Sequence, residues 1–209
     1  MGASNKSGSN KRFYTLKAKT SDKDPKPFIG LQVKQNDKWG IGETYNNLQG
    51  EIISLTHSSY EFEGETKNKF IMTLRDKDGD MQLEGNFNSL AYSLFNSLAG
   101  TDNLGDIEIS VWLDKEIREG KQYPKLGVKN NGGKTTWKYD WANDIPKPEK
   151  VKVGAKTVTD DSKVVEFWKK VVEEIGAKLG SKSTSDTSEN LADDLAASSG
   201  LNEPDNLPF

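Results

Sequence analysis

Apolar and polar residues alternate through most of the chain between positions 13 and 141, which is the pattern of β-strands that bury one face. Turn residues separate the alternating runs. Asp78-Gly79 is typical of a tight hairpin, and the sequence Asn-Asn-Gly-Gly at 130–133 indicates another turn. Five principal strands are predicted at 48–62, 67–75, 79–84, 106–114 and 123–129. Further strands are predicted at 13–20, 28–45 and 135–141.

The alternation gives way to helical spacing once within this region. Six apolar residues recur at that spacing between 87 and 98, and Gly100 can end the helix. Three strands, a helix and then further strands is the order of an OB-fold barrel, whose helix lies between the third and fourth strands. We therefore predict a mainly β protein with an OB-fold barrel over 13–145, in which the additional strands extend or cap the barrel.

A second helix is predicted near the carboxyl end of the folded part. Asp161 is a suitable N-cap for a helix over 162–179. One face of this helix is apolar, and the residues before it are rich in proline and lysine, which indicates a traverse across the surface. We predict that 146–180 is a traverse followed by an amphipathic helix packed on the barrel or on another copy of the protein. The apolar face consists of Val164, Trp168, Val171, Ile175 and Leu179.

The two ends of the chain carry opposite charge. Residues 1–26 contain seven Lys or Arg and two Asp, whereas the residues after Lys182 contain six acids and no base. Both ends are polar, so they lack the apolar content that a core requires. We predict a disordered basic arm at 1–12 and a disordered acidic tail at 181–209, and this charge distribution favours a charged partner.

Composition excludes several kinds of catalytic site. The chain has no cysteine, and His57 is its only histidine, which we interpret as a hydrogen-bonded strand residue. The sequence GGKT at 132–135 lacks the earlier glycine of a phosphate-binding loop. The sequence DKDGD at 76–80 begins like a calcium loop, but the sixth position of that loop, which requires glycine, is Met81. Both are therefore interpreted as hairpin turns. We expect no enzyme activity, cofactor or metal.

Targeting signals are also missing from the pattern. There is no apolar run long enough to span a bilayer and no signal-peptide pattern, so we expect a cytoplasmic protein without a membrane partner.

Strand alternation also predicts which side chains point away from the core. In the run 106–114 the apolar residues share one face, and Trp112 falls on the opposite, polar face. An OB barrel binds single-stranded nucleic acid by stacking bases on aromatic side chains while Lys and Arg follow the phosphates. The candidate residues for binding single-stranded DNA are Trp112, Tyr123, Lys125, Lys129, Arg75, Lys69, Trp137, Tyr139, Lys138 and Lys34.

The predicted strand 135–141 offers two interpretations. Its alternation places Trp137, Tyr139 and Trp141 on one face, opposite Lys138. Such a face is suited to base stacking, but aromatic residues on strands also commonly belong to the core.

The sequence LNEPDNLPF at 201–209 follows an acidic segment rich in serine and glycine. It resembles the C-terminal tail of bacterial single-stranded DNA-binding proteins, which replication, recombination and repair enzymes bind. The resemblance implies that the Phe209 ring fills an apolar pocket while its α-carboxylate meets a basic side chain and Pro208 limits the entropy lost on docking. The residues of this predicted docking tail are Glu203, Asp205, Leu207, Pro208 and Phe209.

A basic arm, a decorated barrel and an acidic tail together resemble a phage-encoded single-stranded DNA-binding protein. The resemblance implies a protein that coats single-stranded DNA with little sequence preference during phage replication and recombination, with possible self-association on DNA. Two alternatives stay open: an RNA-binding OB protein, and a decoy module that competes for host enzymes that bind such tails.

Overall fold

The computed structural model describes residues 11–18, 26–36, 38–118, 120–154 and 156–183. These ranges form a mainly β structure with eleven strands and two helices. The strands are β1 (Arg12–Lys17), β2 (Phe28–Gln35), β3 (Lys38–Tyr45), β4 (Asn47–Phe62), β5 (Glu65–Asp76), β6 (Gly79–Asn86), β7 (Ile107–Arg118), β8 (Lys121–Asn130), β9 (Gly133–Lys134), β10 (Glu149–Val153) and β11 (Lys156–Asp160). The helices are α1 (Ser89–Ala99) and α2 (Ser162–Ser183).

Nine strands form one mixed sheet in the order β3-β2-β1-β6-β5-β4-β7-β8-β9. The β1–β6 pair is parallel and the other neighbours are antiparallel. The sheet is not closed into a barrel, and in this respect the structure differs from the predicted barrel. The reason is that β1 pairs with β6 and so occupies the edge that closure would need. The sheet nevertheless curls, because β2 lies near β7 although no ladder between these two strands is found in the described residues.

The long strand β4 joins the two halves of the sheet. Its residues 47–50 pair with β7, and its residues 51–62 pair with β5. The register shifts between Ile52 and Ser54, and such a bulge bends a strand. The inward side chains of β4 and its neighbours form the core, as the alternation predicted. The principal members are Leu48, Ile52, Leu55, Phe70, Met72, Leu74, Met81, Leu83, Ile107, Ile109 and Val111.

Helix α1 lies between the third and fourth of the predicted principal strands, which confirms its predicted place. The Asn88 side-chain oxygen accepts hydrogen bonds from the N–H groups of Leu90 and Ala91, at 3.0 and 3.1 Å, and so caps the helix. The helix ends at Gly100, whose N–H donates to the Asn96 carbonyl. The apolar residues of α1 are buried against the sheet.

Helix α2 packs on β4 and α1 within the same chain. Trp168 is completely buried and stacks on Tyr92, with ring centroids 5.4 Å apart. The helix approaches β4 closely, because a Cβ at Gly176 would lie 2.7 Å from the Leu55 carbonyl oxygen. His57 was predicted to be a hydrogen-bonded strand residue. It lies on β4, and its Nε2 is 3.1 Å from the Glu173 carboxylate on α2.

The predicted strand at 135–141 is wrong. Strand β9 covers only Gly133–Lys134, and residues 135–141 are irregular. Helix α1 holds this segment away from the sheet, because the Asn96 amide bonds both backbone groups of Tyr139, at 2.8 and 2.9 Å. The Tyr139 ring packs edge-to-face on Phe167, 5.1 Å away between centroids. Tyr139 and Trp141 both contact the buried Trp168, whereas Trp137 remains exposed.

Two other predicted boundaries change. Part of the predicted traverse forms the antiparallel hairpin β10–β11, a separate two-stranded sheet in which every residue of β11 is exposed. Residue 12 of the predicted disordered arm belongs to β1, where the Arg12 guanidinium donates to the Asp76 carboxylate at 2.6 Å. The rest of the predicted disordered arm other than Lys11, and residues 184–209 of the tail, lie outside the described residues.

Both predicted hairpin turns are confirmed. Strands β5 and β6 meet at Gly79, which has a positive φ, and β8 and β9 meet at Asn131-Gly132, where both φ angles are positive.

Among the residues that the structure describes, neither helix combines the length and apolar character that crossing a lipid bilayer requires.

Candidate nucleic-acid interface

Trp112 lies on the outer face of β7, opposite the buried residues of that strand, as alternation predicted. Its side chain is 47 % exposed although its neighbours Val111 and Ile109 are buried. An indole that stays on the surface of a sheet offers one ring face to a ligand. Lys125 is the register partner of Trp112 on β8.

The Trp112 ring lies over Gly127 on the neighbouring strand. Gly127 pairs with Ser110, so the ring crosses diagonally to it. A Cβ at Gly127 would lie 2.7 Å from Cη2 and 3.0 Å from Cζ3 of Trp112, which is closer than carbon atoms can pack. Glycine therefore leaves room for the Cη2–Cζ3 edge of the indole to pack against this strand. We call this pair the Trp112 platform.

The Trp112 platform forms the floor of a cleft of about 780 Å³. The walls come from β7, β8, β9, the end of α1 and the irregular segment after β9. The lining residues are Ser97, Ser110, Trp112, Asp114, Lys125, Leu126, Gly127, Val128, Lys129, Lys134, Thr135, Thr136 and Trp137. This size and mixture of apolar and charged groups suit a flat aromatic ligand that carries negative charge.

Trp137 forms one wall of the cleft and is 55 % exposed. Its backbone is held on both sides. Before it, Thr135 bonds the Val128 carbonyl through both its N–H and its hydroxyl. After it, the Lys138 N–H donates to the Asn96 carbonyl. The cleft wall is therefore fixed to both β8 and α1.

Close packing at Gly100 holds the same wall. A Cβ at Gly100 would lie 2.3 Å from the Thr136 carbonyl oxygen, so only glycine allows this approach of α1. The indole of Trp137 in turn packs edge-to-face on Trp141, at 5.7 Å between ring centroids. Trp141 is partly buried against the core, which makes Trp137 the exposed end of an anchored aromatic pair.

Three lysines line the cleft, and two of them are paired with carboxylates. The Lys125 ammonium lies 3.4 Å from Asp114, and the Lys129 ammonium lies 3.2 Å from Glu108. Lys134 is exposed and is the register partner of Lys129. Surface ion pairs of this kind are worth about 1 kcal/mol or less, so a phosphate can compete for these ammonium groups.

Asp114 has other partners besides Lys125. The Glu116 N–H, and secondarily the Lys125 ammonium, hold the pKa of the Asp114 carboxyl below its usual value. This carboxylate therefore remains charged at neutral pH and keeps its electrostatic hold on Lys125. It limits the positive charge that the cleft offers.

Four of the predicted site residues line the cleft together: Trp112, Lys125, Lys129 and Trp137. Lys69 and Arg75 lie outside it on β5, where they pair with Glu84 at 3.3 Å and with Asp80 at 2.8 Å. Lys34 lies on β2 as the register partner of Trp39.

The structure gives three further predicted residues other surroundings. Tyr139 belongs to the aromatic cluster around Trp168 rather than to a ligand face. The Lys138 ammonium lies 5.0 Å from the Tyr139 ring centroid and 3.2 Å from Glu174 on α2. Tyr123 is exposed on β8 but does not line the cleft. The predicted tail residues from Glu203 onward lie outside the described residues.

Sequence reasoning missed Gly127 and Lys134. A glycine within the strand pattern of β8 was the available signal, since such a residue often marks a close approach of another group to the backbone. Lys134 carried no comparable signal because it follows a turn, where lysine is common. The hydrogen bonds from Asn96 to the backbone of Lys138 and Tyr139 join distant parts of the chain, so no local signal indicated them.

Within the described ranges, no group of three or more His, Asp or Glu side chains is placed to hold a metal ion. Comparison with protein-family models, with curated proteins and with solved structures finds no match for this chain.

Proposed function

We propose that this protein binds single-stranded DNA without strong sequence preference, and that the cleft over the Trp112 platform is a principal contact. The observation that carries the proposal is an exposed indole, packed by its edge against Gly127, with three lysines lining the same cleft. Stacking on an aromatic ring tolerates any base, because every base has a π-face. Lysines beside the ring are suited to the phosphates on either side of a stacked base.

The order of elements supports this function through its likeness to an OB fold. Strands β4, β5 and β6, helix α1 and strands β7 and β8 follow one another in the OB order, and β4 pairs with both β5 and β7. We propose that strands β4 to β8 are an opened OB-type arrangement, in which β1 has taken the edge of β6 that would close the barrel of an OB fold.

The hairpins β4–β5 and β7–β8 correspond in this proposal to the two loops with which OB folds grip oligonucleotides. Large exposed apolar side chains lie on both: Phe62 near the first turn, Ile117 and Tyr123 near the second. Such side chains at hairpin ends are suited to further base contacts.

In the cell, this proposal describes a non-enzymatic protein that coats single-stranded DNA during phage replication and recombination in a bacterial cytoplasm. The acidic tail that contains Leu207, Pro208 and Phe209 recruits replication and recombination enzymes.

The test is a set of fluorescence titrations with poly-dT, poly-U and duplex DNA at several salt concentrations. We expect tight binding to poly-dT, weaker binding to duplex, and a steep fall of affinity with salt. Preference for poly-U would instead indicate the RNA-binding alternative. Binding to none of the three, combined with capture of host enzymes by the tail, would indicate the decoy.

One charge variant tests the cleft itself. Because each neutralised phosphate contributes about 0.7 to the salt slope for a single strand, Lys134→Gln should reduce that slope by about 0.7. Lys170→Gln is the matched control, since Lys170 is exposed on α2 and does not line the cleft. Equal slopes for the two variants would contradict the assignment of the cleft.

A further inference from the structure

A second exposed aromatic surface lies on the outer face of β1, β2 and β3, which precede the OB-ordered strands. Trp39 on β3 is 62 % exposed, and its ring packs edge-to-face on Phe13, with centroids 6.2 Å apart. Ile41 is also exposed, and Phe28 is half-buried. We call Phe13, Phe28, Trp39 and Ile41 the N-terminal patch.

A glycine allows the members of the N-terminal patch to meet. A Cβ at Gly30 would lie 2.9 Å from Cγ2 of Ile41 and 3.0 Å from Cε2 of Phe28. Without a side chain there, Ile41 and Phe28 can both approach the backbone of Gly30. The β2–β3 register shifts between Gly30 and Gln32, which adjusts the positions of the two strands. The same device, an aromatic or aliphatic group over a strand glycine, forms the Trp112 platform.

Lysines surround the N-terminal patch. Lys34 is the register partner of Trp39, and Lys17 is the register partner of Phe28. The Lys11 ammonium lies 5.9 Å from the Phe13 ring centroid, within cation–π range. The nearby carboxylate on β6, that of Glu84, is bonded to Gln32 and Lys69. Three lysines therefore lie beside the patch.

This combination decides what kind of ligand fits the surface. The cores of protein–protein interfaces are depleted in lysine, whereas single-stranded nucleic acid sites combine exposed aromatic rings with lysine and arginine. We propose that the N-terminal patch is a second contact for single-stranded DNA, in which Trp39 stacks on a base while Lys34 and Lys17 meet phosphates. The inference rests on the proposed function and assigns it a surface beyond the cleft.

The experiment is a titration of the full chain with poly-dT, followed by tryptophan fluorescence and by the number of nucleotides covered per protein. The variants are Trp39→Ala, Trp39→Phe and, for comparison, Trp112→Ala. We expect Trp39→Ala to lower the affinity at least about fivefold and to reduce the number of nucleotides covered. Trp39→Phe keeps a ring and should retain most of the affinity.

Folding is controlled by circular dichroism and thermal melting, and Trp39 is exposed enough that the melting temperature should hardly change. If the wild type binds poly-dT and Trp39→Ala binds equally well, the N-terminal patch is not a DNA contact, and the proposed function stands on the cleft alone. If the wild type does not bind, the proposed function fails and this inference fails with it. If Trp39→Ala keeps the DNA affinity of the wild type but has a lower molar mass by light scattering, the patch is an interface between copies and the inference is overturned.

Discussion

Replacing Gly127 with alanine tests the Trp112 platform without removing the indole. The added Cβ would lie 2.7 Å from Cη2 of Trp112, and carbon atoms pack at about 3.6 Å, so the ring must move away by about 0.9 Å. The atoms in conflict are the far end of an exposed side chain, which can move at little cost. The change should therefore alter the free energy of unfolding by less than about 0.5 kcal/mol.

The effect on binding should be larger than the effect on folding. Removing a stacked base contact entirely, by Trp112→Ala, should cost about 1–3 kcal/mol, which is a loss of affinity of about 5- to 150-fold. Gly127→Ala keeps the ring but tilts it, so its loss should be smaller than that of Trp112→Ala and larger than the error of the measurement.

The assay is fluorescence anisotropy of a labelled oligo-dT, with urea unfolding of each variant as the stability control. A Trp112→Ala protein that is folded and binds within about twofold of the wild type would refute the reasoning, because the ring would then carry no stacked base. Wild-type binding by Gly127→Ala alone would refute only the requirement that the ring pack closely against Gly127.

Three further predictions concern charge and the tail. Glu108→Gln releases Lys129 from its ion pair and should strengthen binding to oligo-dT about two- to fivefold at low salt; an unchanged affinity would contradict this. Arg12→Gln should reduce the free energy of unfolding by about 1 kcal/mol at neutral pH, measured by urea denaturation. Arg12 lowers the pKa of Asp76 on folding, so this stabilisation is present above the unfolded value of 3.8 and is lost as pH falls through the folded value; the difference between variant and wild type should therefore vanish in strong acid. Phe209→Ala should abolish capture of replication enzymes in a pull-down while leaving DNA affinity unchanged, and retention of those partners would show that the ring is not the docking element.

The sequence predicted the principal strands and both helices because their signals are local. A strand that buries one face must alternate, and this rule placed β4, β5, β6, β7 and β8 close to their observed limits. Helices α1 and α2 could be predicted because their apolar residues recur at the spacing of one helical turn. The outward position of Trp112 could be predicted because alternation along a single strand is also a local signal.

The irregular segment after β9 could not be predicted, because distant contacts override its local pattern. Residues 135–141 alternate as a strand does, but Asn96 bonds the Tyr139 backbone, and Gly100 lets the chain approach α1. These bonds satisfy backbone groups that a strand would pair with its neighbour. Trp137 was therefore brought to the cleft by a route that the alternation did not describe.

By itself the sequence determined the β-rich class, the hairpin turns, the faces of individual strands and the distribution of charge. The tertiary structure decided which strands are neighbours, and hence that β1 takes the free edge of β6 and leaves the sheet open. It also decided which of the exposed aromatic and basic residues share one cleft. That depends on the pairing of β7 with β8 and on the hydrogen bonds from Asn96 of α1 to the segment after β9. Alternation assigns a side chain to a face of its own strand, whereas a binding site requires side chains from several elements to converge, and packing across the whole core fixes that convergence.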